Sequence, residues 1–351
     1  MIAKYFKSSL WFTFFSLILV TAVGYYYSGT WEGAGKALFI SIILAILEIS
    51  LSFDNAIVNA SVLQKMTEVW KHRFLTWGIL IAVFGMRLIL PILIVCVMAG
   101  ISPWAALSMA LMSPDKYAEM MLTVHPMVAA FGGTFLLMVA LKYFLDENKD
   151  SHWLSVIENP LVKLGKLEAI ETVFALLVLI AITKALPIEM QQGFLFSGIG
   201  GLITFLIVDA IGAYLESGET ETHNSLSAGL TSEQLQKASA GMFLYLEVLD
   251  ASFSFDGVVG AFAISNNLLI IMLGLGIGAF FVRSLTILFV DKKTLSHFAY
   301  LEHGAFYAIV ILALIMLLDP FLHIPEWFTG LSGACIIGLS LWSSIREAKQ
   351  G

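Results

Sequence analysis

The chain has 351 residues, of which 59% are hydrophobic and 13% are charged, and its formal net charge is −7. Because a soluble domain carries roughly a quarter charged residues, this composition excludes an ordinary soluble protein. The excess of acidic over basic residues gives no indication of a basic surface, so no nucleic acid is expected as a partner. The partner that the apolar composition predicts is the lipid bilayer.

Apolar stretches of about twenty residues recur along the chain, and each is long enough to cross roughly 30 Å of hydrocarbon. They predict an all-α, polytopic membrane protein with about ten transmembrane helices. The first stretch lacks a small-x-small cleavage site, so we interpret it as an uncleaved span rather than a signal peptide. The predicted spans are 9–27, 37–63, 74–98, 125–145, 170–186, 194–216, 239–265, 268–290, 304–319 and 329–345.

Several segments depart from this plain pattern. Pro91 in the third span and the many polar residues of the seventh make both spans candidates for a bend or break. Residues 101–120 predict a short interfacial or re-entrant segment, and 217–236 form the longest hydrophilic loop.

Basic residues in the connecting segments predict the orientation. The positive-inside rule places most of them on the cytoplasmic side. If both termini are in the cytoplasm, thirteen of the basic residues in the connecting segments lie inside and three lie outside. We therefore predict an integral protein of a bacterial inner (cytoplasmic) membrane with both termini in the cytoplasm. Those inside are Lys4, Lys7, Lys65, Lys71, Arg73, Lys149, Lys163, Lys166, Lys237, Lys292, Lys293, Arg346 and Lys349; those outside are Lys36, Lys116 and Lys184.

An internal repeat relates two segments in opposite halves of the chain. The sequence EISLSFDNA at 48–56 matches DASFSFDGV at 250–258, with acid on acid and serine on serine. The copies lie in the second and seventh predicted spans, five steps apart, so their helices should cross the membrane in opposite directions, as in the inverted repeats of secondary transporters. In the following span, Gly78, Ile81, Phe84 and Arg87 align with Gly274, Ile277, Phe280 and Arg283.

The repeat predicts the organisation of a single membrane domain over 1–351. An additional N-terminal helix and a C-terminal helix enclose the two copies and their connection. The predicted parts are 1–36 (N-terminal extra helix), 37–146 (repeat 1), 147–238 (connecting helices and loop), 239–319 (repeat 2) and 320–351 (C-terminal helix).

Six carboxylates fall within predicted spans, where each ionised group would cost roughly 2.5–3.5 kcal/mol at the centre of a lipid-exposed helix. They should therefore face a polar cavity, a cation or a counter-charge. Internal salt bridges to Arg87, Arg283 and Lys142 are the alternative to a binding site, and they would neutralise three of the six. The acids are Glu48, Asp54, Asp209, Glu247, Asp250 and Asp256.

Helical geometry limits how these acids can meet. Glu48 and Asp54 are six residues apart, about 120° around a regular helix, so local unwinding of the Ser-x-Ser-Phe-Asp segment is a candidate way to bring them together. Two half-sites would then place Asp54 and Asp256 at the centre, flanked by Glu48 and Asp250. Further predicted ligands are Glu247, Asn55, Asn59, Ser52 and Ser254; Arg87 and Arg283 are counter-charges, and Asp209 lines the pathway, relays a proton or makes a structural hydrogen bond.

Carboxylate, amide and hydroxyl oxygens are ligands for hard cations such as Mg²⁺, Ca²⁺ and Mn²⁺. The histidines lie in loops or at span ends, and Cys96 and Cys335 are distant from both motifs, which argues against a zinc or copper site. A hard divalent metal ion is thus the predicted substrate, and no tightly bound cofactor is expected. No nucleophile–base pair lies at membrane depth, so we expect no enzyme activity.

These residues resemble the TerC-like integral membrane family, named for tellurium resistance. The acid-x5-Asp-Asn pattern of 48–55, followed by Gly78 and Arg87, is similar to the family's first signature. Two later segments of the chain, GGTFLL at 132–137 and YLEHGAF at 300–306, are similar to later segments of the family. The usual motif is closer to Gly-Ile-Asp-Asn, and Gly257 stands where Asn is expected. The resemblance implies a wider LysE-type exporter superfamily, with manganese or calcium efflux as the leading activity.

Three hypotheses remain open at this point. The first is a membrane transporter, an exporter of a hard divalent cation, with Mn²⁺ favoured over Ca²⁺. The second is an exporter of a small organic solute such as an amino acid, whose ammonium group would bind the same acids. The third is a non-transporting, metal-binding membrane partner. The sequence leaves the oligomeric state open, including a homo-oligomer.

Overall fold

The computed structural model describes residues 3–146, 149, 151–167, 169–217, 232–292, 294–322 and 324–348, so most of the predicted loop 217–236 lies outside it. The described residues are helical and contain no strand. The helices are α1 (Ala3–Ser28), α2 (Trp31–Leu51), α3 (Phe53–Lys65), α4 (Glu68–Arg73), two π-helical segments (Phe74–Gly78 and Ile81–Ile89), α5 (Leu90–Ala99), α6 (Pro103–Met112), α7 (Pro114–Leu145), α8 (Ser155–Leu164), α9 (Ile170–Ala185), α10 (Ile188–Ser217), α11 (Ser232–Ile264), α12 (Leu268–Asp291), α13 (Thr294–His297), α14 (Leu301–Leu322) and α15 (Glu326–Ala348).

Eight helical stretches within the described residues are long and apolar enough to cross a membrane, which confirms the all-α polytopic class. Two further predicted spans are helices that fall outside this set. α9 has only 16 residues, and α11 has 33 residues but carries Glu247, Asp250 and Asp256 close together. The eight are Lys4–Ser28, Trp31–Leu51, Glu68–Val97, Pro114–Leu145, Ile188–Leu215, Leu268–Asp291, Leu301–Leu322 and Phe328–Glu347.

The first motif helix is interrupted at Ser52, which ends α2 and precedes α3 with φ −102° and ψ 18°. The Ser52 N–H still donates to the Glu48 carbonyl at 3.0 Å, and the Ser52 carbonyl accepts from the Ala56 N–H at 3.1 Å. The predicted unwinding is therefore a break of a single residue. In the second copy, α11 continues without interruption through 250–258.

The third predicted span changes helix type along its length. The segments Phe74–Gly78 and Ile81–Ile89 are π-helical, a geometry that is rare and frequently found at functional sites. Pro91 lies two residues after the second π-helical segment, inside the continuous helical stretch Glu68–Val97. The predicted re-entrant stretch 101–120 holds α6, which at about 15 Å is too short to cross a bilayer.

The two motif helices run antiparallel. Asn55 Nδ2 donates to Asp250 Oδ1 at 2.6 Å, and the Thr67 N–H donates to Ser239 Oγ at 2.9 Å. Moving forward along α3 therefore means moving backward along α11. These are the relative directions that an inverted repeat requires.

The second helix of the second copy runs parallel to the first motif helix. A Cβ atom at Gly274 would lie 3.0 Å from Leu44 Cβ, and one at Gly278 would lie 2.4 Å from Glu48 Cβ. α12 and α2 thus advance together along the same direction. An inverted repeat requires this as well, because α11 and α12 are consecutive helices.

A large apolar core holds this arrangement from the other side of the motif helices. Fully buried side chains of α7, α9, α10 and α14 form most of it, including Phe135, Met138, Leu179, Phe194 and Ile309. α1 packs along α12, where Ser9 Oγ donates to the Phe280 carbonyl at 2.7 Å. The motif helices are therefore covered on several sides, as their acids require.

Candidate cation-binding site

One buried cavity is lined by both repeats and has a volume of about 40 Å³. A single water needs roughly 10–15 Å³, so the cavity has room for a bare cation with a few waters but not for an amino acid. Residues of α2, α3 and α11, of both π-helical segments and of α12 contribute to its lining. Its polar lining consists of Glu48, Ser52, Asn55, Asn59, Arg87, Glu247, Asp250, Arg283 and Thr286.

Glu48 and Arg87 form a buried ion pair within the first repeat, with 4% and 2% of their surfaces exposed. Arg87 Nη2 donates to Glu48 Oε1, while Arg87 Nη1 donates to the carbonyl of Ala82 in the π-helical segment. Ser52 Oγ donates to the same Glu48 oxygen at 3.0 Å. One guanidinium therefore ties the motif helix to the backbone of the next helix.

In each repeat, an acid of the motif helix lies against a glycine in the second helix of the other repeat. A Cβ atom at Gly278 would lie 2.4 Å from Glu48 Cβ, and one at Gly78 would lie 2.7 Å from Glu247 Oε1. Neither position could hold a larger residue without displacement. These glycines, rather than specific polar contacts, set how closely the acids approach the facing helices.

Several oxygen atoms around the cavity have unused hydrogen-bonding capacity. Asn55 donates its amide nitrogen to Asp250, but Asn55 Oδ1, Asn59 Oδ1 and Glu247 Oε1 are buried and have no partner among the described residues. A buried acceptor without a donor is destabilising, so a cation or an ordered water would satisfy these atoms. All three are oxygens of the type that hard cations prefer.

The charges of the cavity nearly balance without a metal ion. Glu48, Glu247 and Asp250 face Arg87 and Arg283, and within the described part of the chain Arg283 forms no ion pair. No three His, Cys, Asp or Glu side chains among the described residues converge as a ready-made metal site. Arg87 and Ser52 both donate to Glu48 Oε1, so a divalent cation at that oxygen would compete with the guanidinium.

Asp54 does not line this cavity, contrary to the central position predicted for it. It is buried against α14 and α15, beside a separate cavity of about 10 Å³ that Thr329 also lines. The break at Ser52 places Asp54 in the first turn of α3, where its Oδ1 accepts the Asn55 N–H at 2.9 Å. A carboxylate is favoured at a helix N-terminus, which gives Asp54 a local structural partner instead.

Two other predicted residues, Ser254 and Asp209, are also not brought into the cavity. Ser254 is buried on α11 but does not line it, and the side chain of Asp256 lies outside what the structure describes. Asp209 forms an ion pair with Lys142 in a separate, partly exposed groove. The alternative of internal salt bridging therefore holds for Asp209 with Lys142 and, in this arrangement, for Glu48 with Arg87.

Some lining groups were not predicted from the sequence. Gly278, Thr286 and the π-helical carbonyl of Ala82 complete the surroundings of the acids. The alternating glycines of GLGIG at 274–278 are a signal for close helix approach that could have identified Gly278. Nothing in the local sequence distinguishes the π-helical segment from an ordinary apolar helix.

Comparison with known proteins gives one match. A family model described as "Protein of unknown function (DUF475)" matches residues 53–351. No curated protein and no solved structure matches the chain. The matched stretch contains both repeats' second helices and all of α11, while Glu48 and Ser52 precede it. The chain belongs to the DUF475 family.

Proposed function

We propose that this protein is a membrane transporter, specifically an exporter of a hard divalent cation, with Mn²⁺ favoured and Ca²⁺ as the other candidate. The observation that carries the proposal is the shared cavity, in which Glu48 of one motif helix faces Asp250 and Glu247 of an antiparallel one. Secondary transporters built from inverted repeats hold substrate at such a junction. The TerC-like resemblance of the motifs supports the same activity.

Arg87 has the role of a resident counter-charge in this proposal. It neutralises Glu48 while the cavity holds no cation, and it releases the carboxylate when a divalent ion arrives. Its second hydrogen bond, to the Ala82 carbonyl, would be disturbed by the same movement. Ion binding would thereby be communicated to the π-helical segment, and protonation of the carboxylates would supply the coupling.

Alternating access would involve movement of one repeat against the other. The close contacts of Gly278 with Glu48 and of Gly78 with Glu247 lie at the junction where such movement would occur. The charge asymmetry of the loops supports cytoplasmic termini in a bacterial inner membrane. Export would then carry the ion away from the cytoplasm.

The size of the cavity favours an ion over the organic solute considered above. At about 40 Å³ the cavity has room for roughly three waters, which is less than a whole amino acid with its ammonium and carboxylate groups needs. A non-transporting metal-binding partner would use the same oxygens but show no flux. Flux measurements therefore separate the two remaining hypotheses.

The direct test is Mn²⁺ flux into proteoliposomes. Asp250→Asn removes a charge from the cavity with little change in shape, and we expect a loss of at least roughly tenfold in rate. Asp209→Asn is the matched control, since Asp209 lies outside the cavity, and its rate should stay near wild type. Undiminished flux in Asp250→Asn would contradict the proposed site.

A thermal-shift titration of the same variants tells binding from transport. Mass action predicts that Mn²⁺ raises the unfolding midpoint of the wild type and of Asp209→Asn, but not of Asp250→Asn. Wild-type protein that binds Mn²⁺ without flux would support the non-transporting partner instead.

A further inference from the structure

Helix α8 occupies the connection between α7, which is long and apolar enough to cross a membrane, and the shorter apolar helix α9. α7 ends at Leu145 and α9 begins at Ile170, and α8 spans Ser155–Leu164 between them. A short segment that leaves a spanning helix stays near the face of the bilayer at which that helix ends. α8 therefore lies close to the boundary between lipid headgroups and water.

One side of α8 is fixed to the bundle by a buried polar cluster. The Glu158 carboxylate is fully buried and accepts hydrogen bonds from Lys149 Nζ at 2.7 Å, the Leu154 N–H at 3.1 Å and Tyr307 Oη at 3.3 Å. The Lys149 ammonium also lies 4.5 Å from the ring centre of Tyr143. Because these partners belong to α7 and α14 as well as the connection, the orientation of α8 is set by the fold.

The adjacent side of α8 exposes large apolar side chains. Val156 is 88% exposed and Ile157 is 49% exposed, and Leu164 is exposed beside them. Residues 157 and 164 lie about 20° apart around the helix and residue 156 within about 100° of them, so they form one continuous arc. Glu158 lies on the other side of Ile157, toward the protein.

Basic residues border this apolar arc. Lys163 and Lys166 are exposed, and neither has a polar partner among the described residues. Asn159 is exposed on the polar part of the helix surface, about 160° around the helix from Ile157 but only about 60° from Val156. An apolar face with a basic border is typical of helices that lie in the interface of an anionic membrane.

We propose that α8 is an interfacial helix that inserts Val156, Ile157 and Leu164 among lipid acyl chains and binds anionic phospholipid headgroups through Lys163 and Lys166. The occupant is lipid because the arc adjoins a bundle whose outer surface is itself apolar and because the exposed lysines complement phosphate charge. The polar cluster around Glu158 holds the helix at the orientation that this requires. The proposal does not depend on what the cavity transports.

Collision accessibility of spin labels tests the depth of α8. In full-length protein carrying Cys96→Ala and Cys335→Ser, a nitroxide is placed at Ile157→Cys or, as the matched control on the opposite side of the same helix, at Asn159→Cys. In nanodiscs, we expect the label at 157 to collide more with oxygen than with a water-soluble nickel chelate, and the label at 159 to show the reverse. Nickel access at 157 equal to that at 159 would overturn the proposal, as would exclusion of both reagents, which would mean that protein covers the arc.

Lipid composition tests the headgroup part. The thermal midpoint should be higher in phosphatidylglycerol nanodiscs than in phosphatidylcholine nanodiscs, and the Lys163→Gln/Lys166→Gln variant should lose at least half of that difference. Lys36→Gln, which removes an exposed lysine of α2 paired with Glu32, is the control and should retain it. An unchanged difference in the double variant would overturn the assignment of the lysines.

Discussion

The Glu48–Arg87 pair shows what a buried charge contributes at the scale of a single residue. Glu48→Gln would leave the Arg87 guanidinium buried without a counter-charge, and the expected loss in the free energy of unfolding is about 3–5 kcal/mol. Chemical or thermal unfolding of the purified protein would measure it. The matched control is Glu32→Gln, which breaks the exposed pair with Lys36 and should leave stability unchanged.

A second variant makes this prediction specific to uncompensated charge. Replacing both partners, in Glu48→Gln/Arg87→Met, removes the unpaired guanidinium and should recover a large part of the lost stability. If the double variant were no more stable than Glu48→Gln alone, packing rather than charge would explain the loss.

The acids and the bases that could pair with them were predictable from the sequence as a set, but which acid meets which base, and the place of Asp54, were not. Charged residues inside apolar stretches are conspicuous, and Glu48, Asp250 and Arg87 do meet at one cavity. Asp54 departs because the break at Ser52 is one residue wide and turns the following helix toward α14 and α15. Whether a Ser-Phe-Asp segment breaks a helix depends on tertiary contacts, which no local pattern contains.

Close packing at glycine dominates at the scale of helices. A Cβ atom at Gly278 would lie 2.4 Å from Glu48 Cβ and 2.9 Å from the Ala45 carbonyl, so Gly278→Ala must push α12 away from α2. Overpacking of this kind costs about 1–3 kcal/mol, and we expect a lower unfolding midpoint together with slower Mn²⁺ flux. Gly338→Ala on α15, where the added atom meets open space, should lower neither.

The attachment of α8 predicts a dependence of stability on pH. Burial opposes ionisation of Glu158, but the hydrogen bonds from Lys149 and the Leu154 N–H and the nearby positive charge outweigh it, so its pKa is lowered from the ordinary value of 4.5. A lowered folded-state pKa stabilises the protein at pH values above 4.5, and that contribution is lost as the pH falls through the folded-state pKa.

Unfolding midpoints of wild type and Glu158→Gln between pH 7 and pH 4 check this. The wild type should be the more stable at pH 7, and the difference should shrink as the pH falls below about 5, where the carboxylate takes up a proton. His303 Nε2 lies 3.6 Å from Glu158 Oε2 and becomes charged at lower pH, so the range below about pH 5 is the one that reports on Glu158. A difference that kept growing in that range would have the wrong sign and would exclude an ionised Glu158 as the anchor.

The order and type of the helices followed from the sequence, while their internal geometry did not. Apolar length predicted the eight helices that are long and apolar enough to cross a membrane, and also α9 and the polar α11, which fall outside that set. The π-helical segments Phe74–Gly78 and Ile81–Ile89 carry no local signal, since their side chains suit an ordinary α-helix equally well. Within the second segment Arg87 donates to the nearby Ala82 carbonyl and also to Glu48, and the contact with Glu48 is tertiary.

For the molecule as a whole, the internal repeat was the most informative feature of the sequence. It predicted antiparallel motif helices from span parity alone, and the contacts of Asn55 with Asp250 and of Thr67 with Ser239 run in that direction. The repeat is nevertheless asymmetric. The first motif helix is broken at Ser52 and the second is continuous, so the two halves contribute different groups to one cavity.

Anomalous diffraction from crystals of the full chain grown with Mn²⁺ tests the central claim most directly, because it locates the ion without reference to activity. We predict a peak in the shared cavity, within roughly 2.0–2.6 Å of carboxylate oxygens of Glu48, Glu247 or Asp250, with Arg87 displaced from Glu48. A cavity without manganese under conditions in which the ion binds elsewhere on the protein, for instance beside Asp54 or Asp209 alone, would contradict the account.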